Sequence, residues 1–229
     1  MRRARHLHQK VERRKAILAT ALELLQELPY PHITMSLVAE RADLVKGTLY
    51  LYFSTKEELF LELLRGQFHG WFWDLEAGLE NLPRRGRLEA AARLFADAAA
   101  SRPAFLQLLG VLHGLLEQNL PEASALSFQR EWADRSLSVG RHLERELPFL
   151  APGRGLPLLM QAHALIIGLQ AMTGPSVLAR PLLEPPGSPP GMQDFRQAFL
   201  QGIRACLAGH KAEHRRPAPP APWAPVLQP

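Results

Sequence analysis

The chain has 229 residues, of which 47% are hydrophobic, so it can bury a substantial core and is not a disordered protein. Its 27 Lys and Arg residues outnumber 22 Asp and Glu residues, and the formal net charge of +5 favours a polyanionic partner. A single cysteine, Cys206, excludes an intramolecular disulfide and indicates a reducing compartment, which we expect to be the cytoplasm.

The positive charge is concentrated at the N-terminal end. Between Met1 and Lys15 there are seven basic residues and one acid, Glu12. We predict that residues 1–9 form a basic disordered arm, which either follows a DNA groove or stays solvated. This end lacks the apolar core of a signal peptide, and the most apolar stretch, residues 156–172, is interrupted by polar residues, so no contact with a membrane is expected.

An amphipathic first helix is predicted over residues 11–28, where apolar side chains recur at three- and four-residue spacing. Pro29 and Pro31 end it. Thr34 can then act as the N-cap of a short second helix over residues 35–41. Two helices of unequal length, separated by a proline-containing turn, are therefore expected.

A third, shorter helix is predicted over residues 46–53 after a turn at Asp43, because aspartate tolerates the left-handed backbone conformation. Leu49 and Phe53 are four residues apart and share the buried face. Two short helices joined by a tight turn match a helix-turn-helix in size, which we assign to a domain over residues 10–56.

A long fourth helix is predicted to begin after Ser54 and Thr55, because each stands three residues before a glutamate and gives a capping box. Further helices are predicted at residues 87–100, 104–118, 122–147, 156–178 and 192–208. No alternating strand pattern occurs in the sequence, so the predicted fold class is all-α. Residues 57–210 would form a second, helical domain, followed by a proline-rich disordered tail over residues 211–229.

The last two predicted helices carry apolar stripes at steps of four and three residues. Such stripes serve either the core of one chain or the seam of a helical homodimer. For the homodimer the candidate residues are Leu158, Ala162, Leu165, Leu169, Met172, Phe195, Phe199 and Ile203.

The polar side of the third helix has the chemistry of a DNA contact. Lys46 can reach a phosphate or a guanine edge, Gly47 allows close approach of the backbone, and tyrosine hydroxyls can donate hydrogen bonds to phosphate oxygens. Thr34 and Lys56, each at a helix start, would add phosphate contacts. A half-buried packing role is the alternative for any single tyrosine.

The segments ITMSLVA from Ile33, KGTLYLYF from Lys46 and KEEL from Lys56 together resemble the DNA-binding domain of the TetR family of bacterial transcriptional regulators. The resemblance implies that the third helix reads the major groove of a palindromic operator in double-stranded DNA. It also implies a fourth helix leading to an effector-binding domain, and a homodimer built by the last two helices. The DNA-contacting residues it implies are Thr34, Lys46, Thr48, Tyr50, Tyr52 and Lys56, with Leu51 helping to set sequence preference.

Two residues in the turn depart from the family pattern. Asp43 stands where a glycine is usual, and Val45 stands where many members have Ser or Thr. Asp43 can adopt the turn, whereas Val45 has no side-chain oxygen and cannot cap the third helix.

An effector pocket is expected among the helices of residues 87–147, closed by part of the fourth helix. A mostly apolar pocket would take a small lipophilic effector. Core packing is the alternative for each aromatic residue, although Trp71, Phe72 and Trp73 cannot all face one core. The candidate effector-binding residues are Trp71, Phe105, His113, Phe128, Trp132 and His163.

The sequence shows no nucleophile elbow, phosphate-binding glycine loop or metal-ligand spacing, so we predict no enzyme activity, no cofactor and no metal site. Two function classes remain. One is a ligand-responsive dimeric repressor, and the other is a DNA-bound interaction protein that holds a protein partner without small-molecule control.

Overall fold

The structure, a computed structural model, describes residues 2–111, 120–173 and 195–214. Within these ranges the protein consists of α-helices and one 3-10 turn, Tyr30–His32, with no strand, so the predicted all-α fold class is confirmed. The helices are α1 (Arg2–Glu27), α2 (Met35–Arg41), α3 (Lys46–Tyr50), α4 (Lys56–Glu80), α5 (Arg87–Ala100), α6 (Pro103–Val111), α7 (Glu122–Glu146), α8 (Gly155–Thr173) and α9 (Phe195–His214).

Helix α1 begins at Arg2 and is therefore helical over the segment predicted to be a disordered arm. Residues 2–10 contain neither proline nor glycine, so nothing in their sequence interrupts the helix. One contact at helical spacing reaches from this segment to the next turn, where His8 Nδ1 lies 4.0 Å from the Glu12 carboxylate.

Helix α3 ends at Tyr50, three residues before its predicted end. The amides of Leu51 and Tyr52 donate to carbonyls three residues earlier, which is the tighter pattern of a closing turn. Leu49 and Phe53 are buried, as their spacing predicted. They anchor α3 to the core formed with α1 and α2.

Helix α4 connects the two halves of the chain. Thr55 caps it by accepting a hydrogen bond from the Glu58 amide at 3.0 Å, while the Glu58 carboxylate accepts from the Ser54 amide at 2.9 Å. The cap predicted at Thr55 is therefore present, whereas Glu57 bonds Tyr30 rather than Ser54. The first turns of α4 pack on α1, and its remainder packs on α5, α6 and α7.

The C-terminal helices form a bundle in which α9 packs on α5 and α8, and α8 also packs on α6 and α7. The crossing of α7 and α8 requires glycine on both helices, because a Cβ at Gly155 would overlap the Gly140 carbonyl oxygen. Part of α8, Gly155–Met172, is long and apolar enough to cross a membrane by composition alone. This stretch packs against α6, α7 and α9, and 28% of it is buried.

The burial of α8 and α9 corrects part of the predicted dimer seam. Leu158, Ala162, Phe199 and Ile203 are fully buried within one protomer, so a partner cannot contact them in this structure. Periodicity identified an apolar face on each helix, but that face packs on the protomer's own core. Of the remaining seam residues, Leu165, Leu169 and Phe195 are half-buried, and Met172 is exposed.

The end of α9 differs from its prediction as well. It continues to His214, so the first four residues of the predicted disordered tail are helical. An ion pair of 3.3 Å between Arg154 and Glu213 ties this end to the start of α8. The predicted helical positions 112–118, 174–178 and 192–194, and the tail from residue 215, lie outside the described residues.

Candidate DNA-binding surface

The turn between α2 and α3 has the geometry that its sequence predicted. Asp43 has a φ of 52°, in the left-handed region. Its amide donates to the Glu40 carbonyl at 3.1 Å, and the Leu44 amide donates to the Ala39 carbonyl at 2.9 Å. This pair of bonds is a Schellman motif, which ends α2 and redirects the chain into α3.

Helix α3 presents its outer side to solvent. Leu51 is 78% exposed and Tyr50 is 44% exposed, while Leu49 on the opposite side is buried. Lys46 and Gly47 are also exposed at the start of the helix. A short helix anchored by one face, with lysine, glycine and tyrosine on the other, is suited to a DNA major groove.

The start of α3 has no side-chain cap. Val45 is 78% exposed and makes no capping hydrogen bond, as predicted from its lack of an oxygen. At α2, by contrast, Thr34 Oγ1 accepts from the Leu37 amide at 3.1 Å. The Thr34 hydroxyl proton remains free to donate to a phosphate oxygen.

Tyr52 and Thr48 are half-buried rather than fully exposed. Tyr52 packs against the core, so the half-buried packing role considered for the tyrosines applies in part to this one. Thr48, Leu51 and Tyr52 line one wall of an open groove whose other wall is α1.

Lys56 is half-buried and makes contacts that the sequence did not reveal. Its Nζ donates to the Tyr30 carbonyl at 2.7 Å and lies 3.8 Å from the centroid of the Tyr30 ring. Burial lowers the pKa of Lys56, and burial together with Glu57 raises the pKa of the Tyr30 hydroxyl. Lys56 therefore joins α4 to the 3-10 turn as well as being a predicted phosphate contact.

Arg14 is a second residue that sequence reasoning missed. Its guanidinium carbon lies 4.9 Å from the centroid of Phe53, and its Nη1 donates to Glu62 at 2.9 Å. Arg14 thus fixes α1 against both the end of the α3 segment and α4. Its position in a run of basic residues gave no signal that it differs from its solvent-exposed neighbours.

The predicted effector residues in the described ranges lie in one aromatic cluster around Phe68. The Phe68 ring centroid is 3.6 Å from that of Trp132, 5.4 Å from Phe105 and 6.4 Å from both Phe128 and His163. Trp71 lies 6.0 Å away by the same measure. His113 lies outside the described residues. Phe68 itself was not predicted, although its spacing of three and four from Trp71 and Phe72 is a helical signal.

The aromatic cluster is filled by its own side chains. Trp71 and Phe72 are buried, whereas Trp73 is 69% exposed, so the prediction that the three could not share one core is confirmed. Within the described part of the chain, the buried Trp71 indole N–H has no hydrogen-bond acceptor. Among the described residues, the cavity between the rings of this cluster is about 10 Å³.

These elements define the class: a helix-turn-helix DNA-binding domain joined by a long helix to a larger helical domain. Two family models match the chain, "Bacterial regulatory proteins, tetR family" over residues 17–63 and "Tetracyclin repressor-like, C-terminal domain" over residues 65–214. The protein belongs to the TetR family of bacterial transcriptional regulators.

Curated relatives share the DNA-binding end of the chain. The transcriptional repressor KstR of Rhodococcus jostii (strain RHA1) is 40% identical over 78 residues, which cover 34% of this chain and 35% of KstR. The uncharacterised regulator YhgD of Bacillus subtilis (strain 168) is 43% identical over 53 residues, covering 23% of this chain and 28% of YhgD. The chain thus spans about a third or less of the length of these relatives.

Solved structures share the fold along most of the chain. Thermus thermophilus FadR, a transcriptional repressor in complex with lauroyl-CoA, has a TM-score of 0.55 at 18% identity and covers 91% of this chain and 98% of its own. SmeT of Stenotrophomonas maltophilia in complex with triclosan has a TM-score of 0.53 at 16% identity, covering 86% of this chain and 91% of its own.

Proposed function

We propose that the protein is a dimeric repressor that binds a palindromic operator and releases it when a small, mostly apolar effector binds. The single observation that carries this proposal is the outer side of α3, where Tyr50 and Leu51 are exposed on a helix whose other side is locked into the core. Because this outer side does not pack in the core, it is free to contact DNA.

The residues of this surface have distinct proposed roles. Thr34, Tyr50, Tyr52 and the free protons of Lys56 donate to phosphate oxygens, which fixes the position of the domain on the duplex. The remaining members act closer to the bases: Lys46, Gly47, Thr48 and Leu51. Leu51, at 78% exposure, is the apolar group available to contact a thymine methyl.

The proposed dimer uses exposed parts of α8 and α9 rather than their buried stripes. Ala164 and Gly168 are exposed on α8, and Ala205 and Gly209 are exposed on α9. Leu165 on α8 lies against Gly202 on α9, so the two helices lie side by side. We propose that the four small residues belong to one dimer surface. A dimer that binds two half-sites one helical turn apart needs its α3 helices about 34–36 Å apart.

The proposed effector site is the aromatic cluster around Phe68. Lauroyl-CoA in FadR and triclosan in SmeT are ligands with large apolar parts, and both proteins share this fold. The apolar walls of the cluster suit such a ligand, and the Trp71 N–H, which has no acceptor among the described residues, would donate a hydrogen bond to a ligand oxygen. We therefore infer an apolar effector carrying at least one acceptor atom.

A chain of ion pairs offers a route from the effector site to the DNA-binding domain. Glu131 on α7 lies 2.6 Å from both His69 and Arg65, and Arg65 lies 3.5 Å from Glu62. Glu62 in turn bonds Arg14, which packs on Phe53. Trp132 is the neighbour of Glu131 in α7. An effector that displaces Trp132 would therefore move these ion-paired residues and shift α1 relative to α4.

The division of roles on α3 is tested by comparing two variants on operator and random duplexes. Tyr50→Phe removes a phosphate donor and is expected to weaken binding to both duplexes by the same factor. Leu51→Ala is expected to weaken operator binding while leaving binding to random duplex near wild type. An equal loss on both duplexes for Leu51→Ala would contradict its role in sequence preference.

The alternative function, a DNA-bound protein that holds a protein partner, is favoured by the 69% exposure of Trp73 on α4. A thermal-shift screen of lipophilic compounds separates the two. A true effector at 100 times its dissociation constant adds about 2.7 kcal/mol to the free energy of unfolding and should release the operator. The alternative would be favoured if no compound stabilises the protein and if another protein copurifies with it. That second protein should no longer copurify with the Trp73→Ser variant.

A further inference from the structure

Helix α1 carries two basic side chains, Lys10 and Arg13, that are not used in the packing of the fold. Arg14 is paired with Glu62 and Lys15 is paired with Glu12. Lys10 and Arg13 are exposed and form no ion pair with any residue that the structure describes. Helix α1 packs on α2, α4 and α6, yet these two cations contribute nothing to that packing.

Both cations border the groove between α1 and α3. One wall consists of Lys10, Arg13 and their neighbours Gln9, Glu12 and Ala16, and the other consists of Thr48, Leu51 and Tyr52. The single acid in this lining, Glu12, is already bonded by Lys15 Nζ at 3.0 Å. The groove therefore combines two free cations with the hydroxyls of Thr48 and Tyr52, all of which are donors that suit phosphate oxygens.

We propose that this groove holds a strand of the DNA backbone and that the N-terminal half of α1 is a second DNA-binding element. The inference rests on the proposed operator binding, because α3 must lie in the major groove for a phosphate strand to pass between it and α1. From Lys10 the helix continues to Arg2 for about 12 Å, at about 1.5 Å per residue. This length would let the helix follow the strand beyond the base pairs that α3 reads.

The salt dependence of binding tests this element. Each phosphate contact contributes about 0.9 to the slope of log K against log salt concentration, so Lys10→Gln/Arg13→Gln should reduce the slope by about 1.8. Binding to operator and to random duplex should weaken by the same factor. Arg130→Gln/Arg141→Gln is the matched control, because it also removes two exposed charges, which lie on α7 and outside the groove lining.

The position of the contact is tested by shortening the operator duplex by about half a helical turn at each end. On the shortened duplex, the affinity of the wild-type protein should fall to that of the double variant. The affinity of the double variant should differ little between the full and the shortened duplex. An unchanged salt slope in the double variant, or an equal loss for Arg130→Gln/Arg141→Gln, would overturn the proposal. Wild-type protein that shows no operator preference would instead defeat the proposed function itself.

Discussion

A substitution at Gly47 can distinguish the proposed contact with DNA from the folding of the domain. It is exposed near the start of α3, and a Cβ built on it would have no atom within 4 Å. The fold therefore does not require glycine at this position, and alanine should raise helix stability by up to about 1 kcal/mol. The remaining reason for glycine is close approach of the backbone to a partner.

Gly47→Ala is accordingly expected to fold at least as stably as wild type while binding DNA about tenfold or more weakly. Chemical denaturation and a fluorescence binding titration measure the two effects. Gly66→Ala on α4 is the matched control, because Gly66 also has open space around its missing Cβ and lies away from α3. Undiminished DNA binding by Gly47→Ala would contradict close backbone approach.

His210 makes the stability of the C-terminal bundle depend on pH. Its Nε2 lies 3.0 Å from Gln161 Oε1, and burial lowers the pKa of His210 below its ordinary value of 6.5. Below pH 6.5 the unfolded chain binds a proton that the folded chain resists, so His210 lowers folding stability as the pH falls. Above pH 6.5 both states are neutral at this side chain, and its contribution is constant.

His210→Gln should therefore lose less stability than wild type between pH 7 and pH 5.5, while remaining folded through the contact with Gln161. Urea denaturation at several pH values measures the difference. Identical pH profiles for the two proteins would show that His210 titrates normally in the folded state.

At the scale of residues, the sequence predicted which side chains are buried better than it predicted the hydrogen-bond partners of polar side chains. The four-residue spacing of Leu49 and Phe53 gave their buried face, and both are buried. The contact of Lys56 with Tyr30, 26 positions away, left no local pattern that could be recognised. Helical period reports which side of a helix is apolar, whereas the partner of a polar side chain depends on tertiary packing.

At the scale of elements, α3 is stabilised by its anchoring residues and the Schellman turn rather than by its own termini. It has five residues, too few for an independently stable helix, and no side-chain cap. Its position therefore depends on Leu49 and Phe53 in the core and on Asp43 in the turn.

Val45→Ser should supply the missing cap by accepting from the amide of Gly47 or Thr48, and we expect it to raise the free energy of unfolding by about 1 kcal/mol. Thr34→Ala is the paired control, because it removes the existing cap of α2 and should lower stability by a similar amount. Equilibrium urea denaturation measures both. If Val45→Ser instead destabilises the protein, the valine side chain contributes more to packing than its exposure indicates.

The starts of helices were predicted where a capping residue marks them. The caps at Thr34 and Thr55 were predicted because their hydroxyls have a fixed spacing from the amides they accept. The extension of α1 to Arg2 differs from the predicted disorder, because a run of like charges does not by itself prevent a helix where proline and glycine are absent. The apolar stripes of α8 and α9 were found, but a stripe does not reveal whether its neighbour is the same chain or another copy.

At the scale of the whole molecule, the proposed dimer has a test that does not disturb the protomer. A side chain at Gly168 on α8 would meet no atom within 4 Å in the single chain. Gly168→Glu places a charge on the small-residue surface of α8 and α9, and two such charges would face each other across a symmetric interface. The change should leave the thermal stability of the protomer intact.

Light scattering should show Gly168→Glu near the single-chain mass of 25.6 kDa, with weaker binding to a full palindrome but not to a half-site. Gly66→Glu on α4 is the matched control and should remain dimeric, because its surroundings are equally open but lie outside the proposed interface. A dimeric Gly168→Glu that binds the palindrome normally would place the interface elsewhere.

The central claim, that α3 reads a palindromic operator, is tested most directly by selecting random duplexes with the purified protein and sequencing those retained. Near-physiological salt is required, because phosphate-driven affinity depends on ionic strength. The structure leads us to expect enrichment of one palindrome whose half-sites are about one helical turn apart. Retained duplexes with no common motif would contradict the claim and would leave Lys46, Tyr50 and Leu51 with only non-specific contacts.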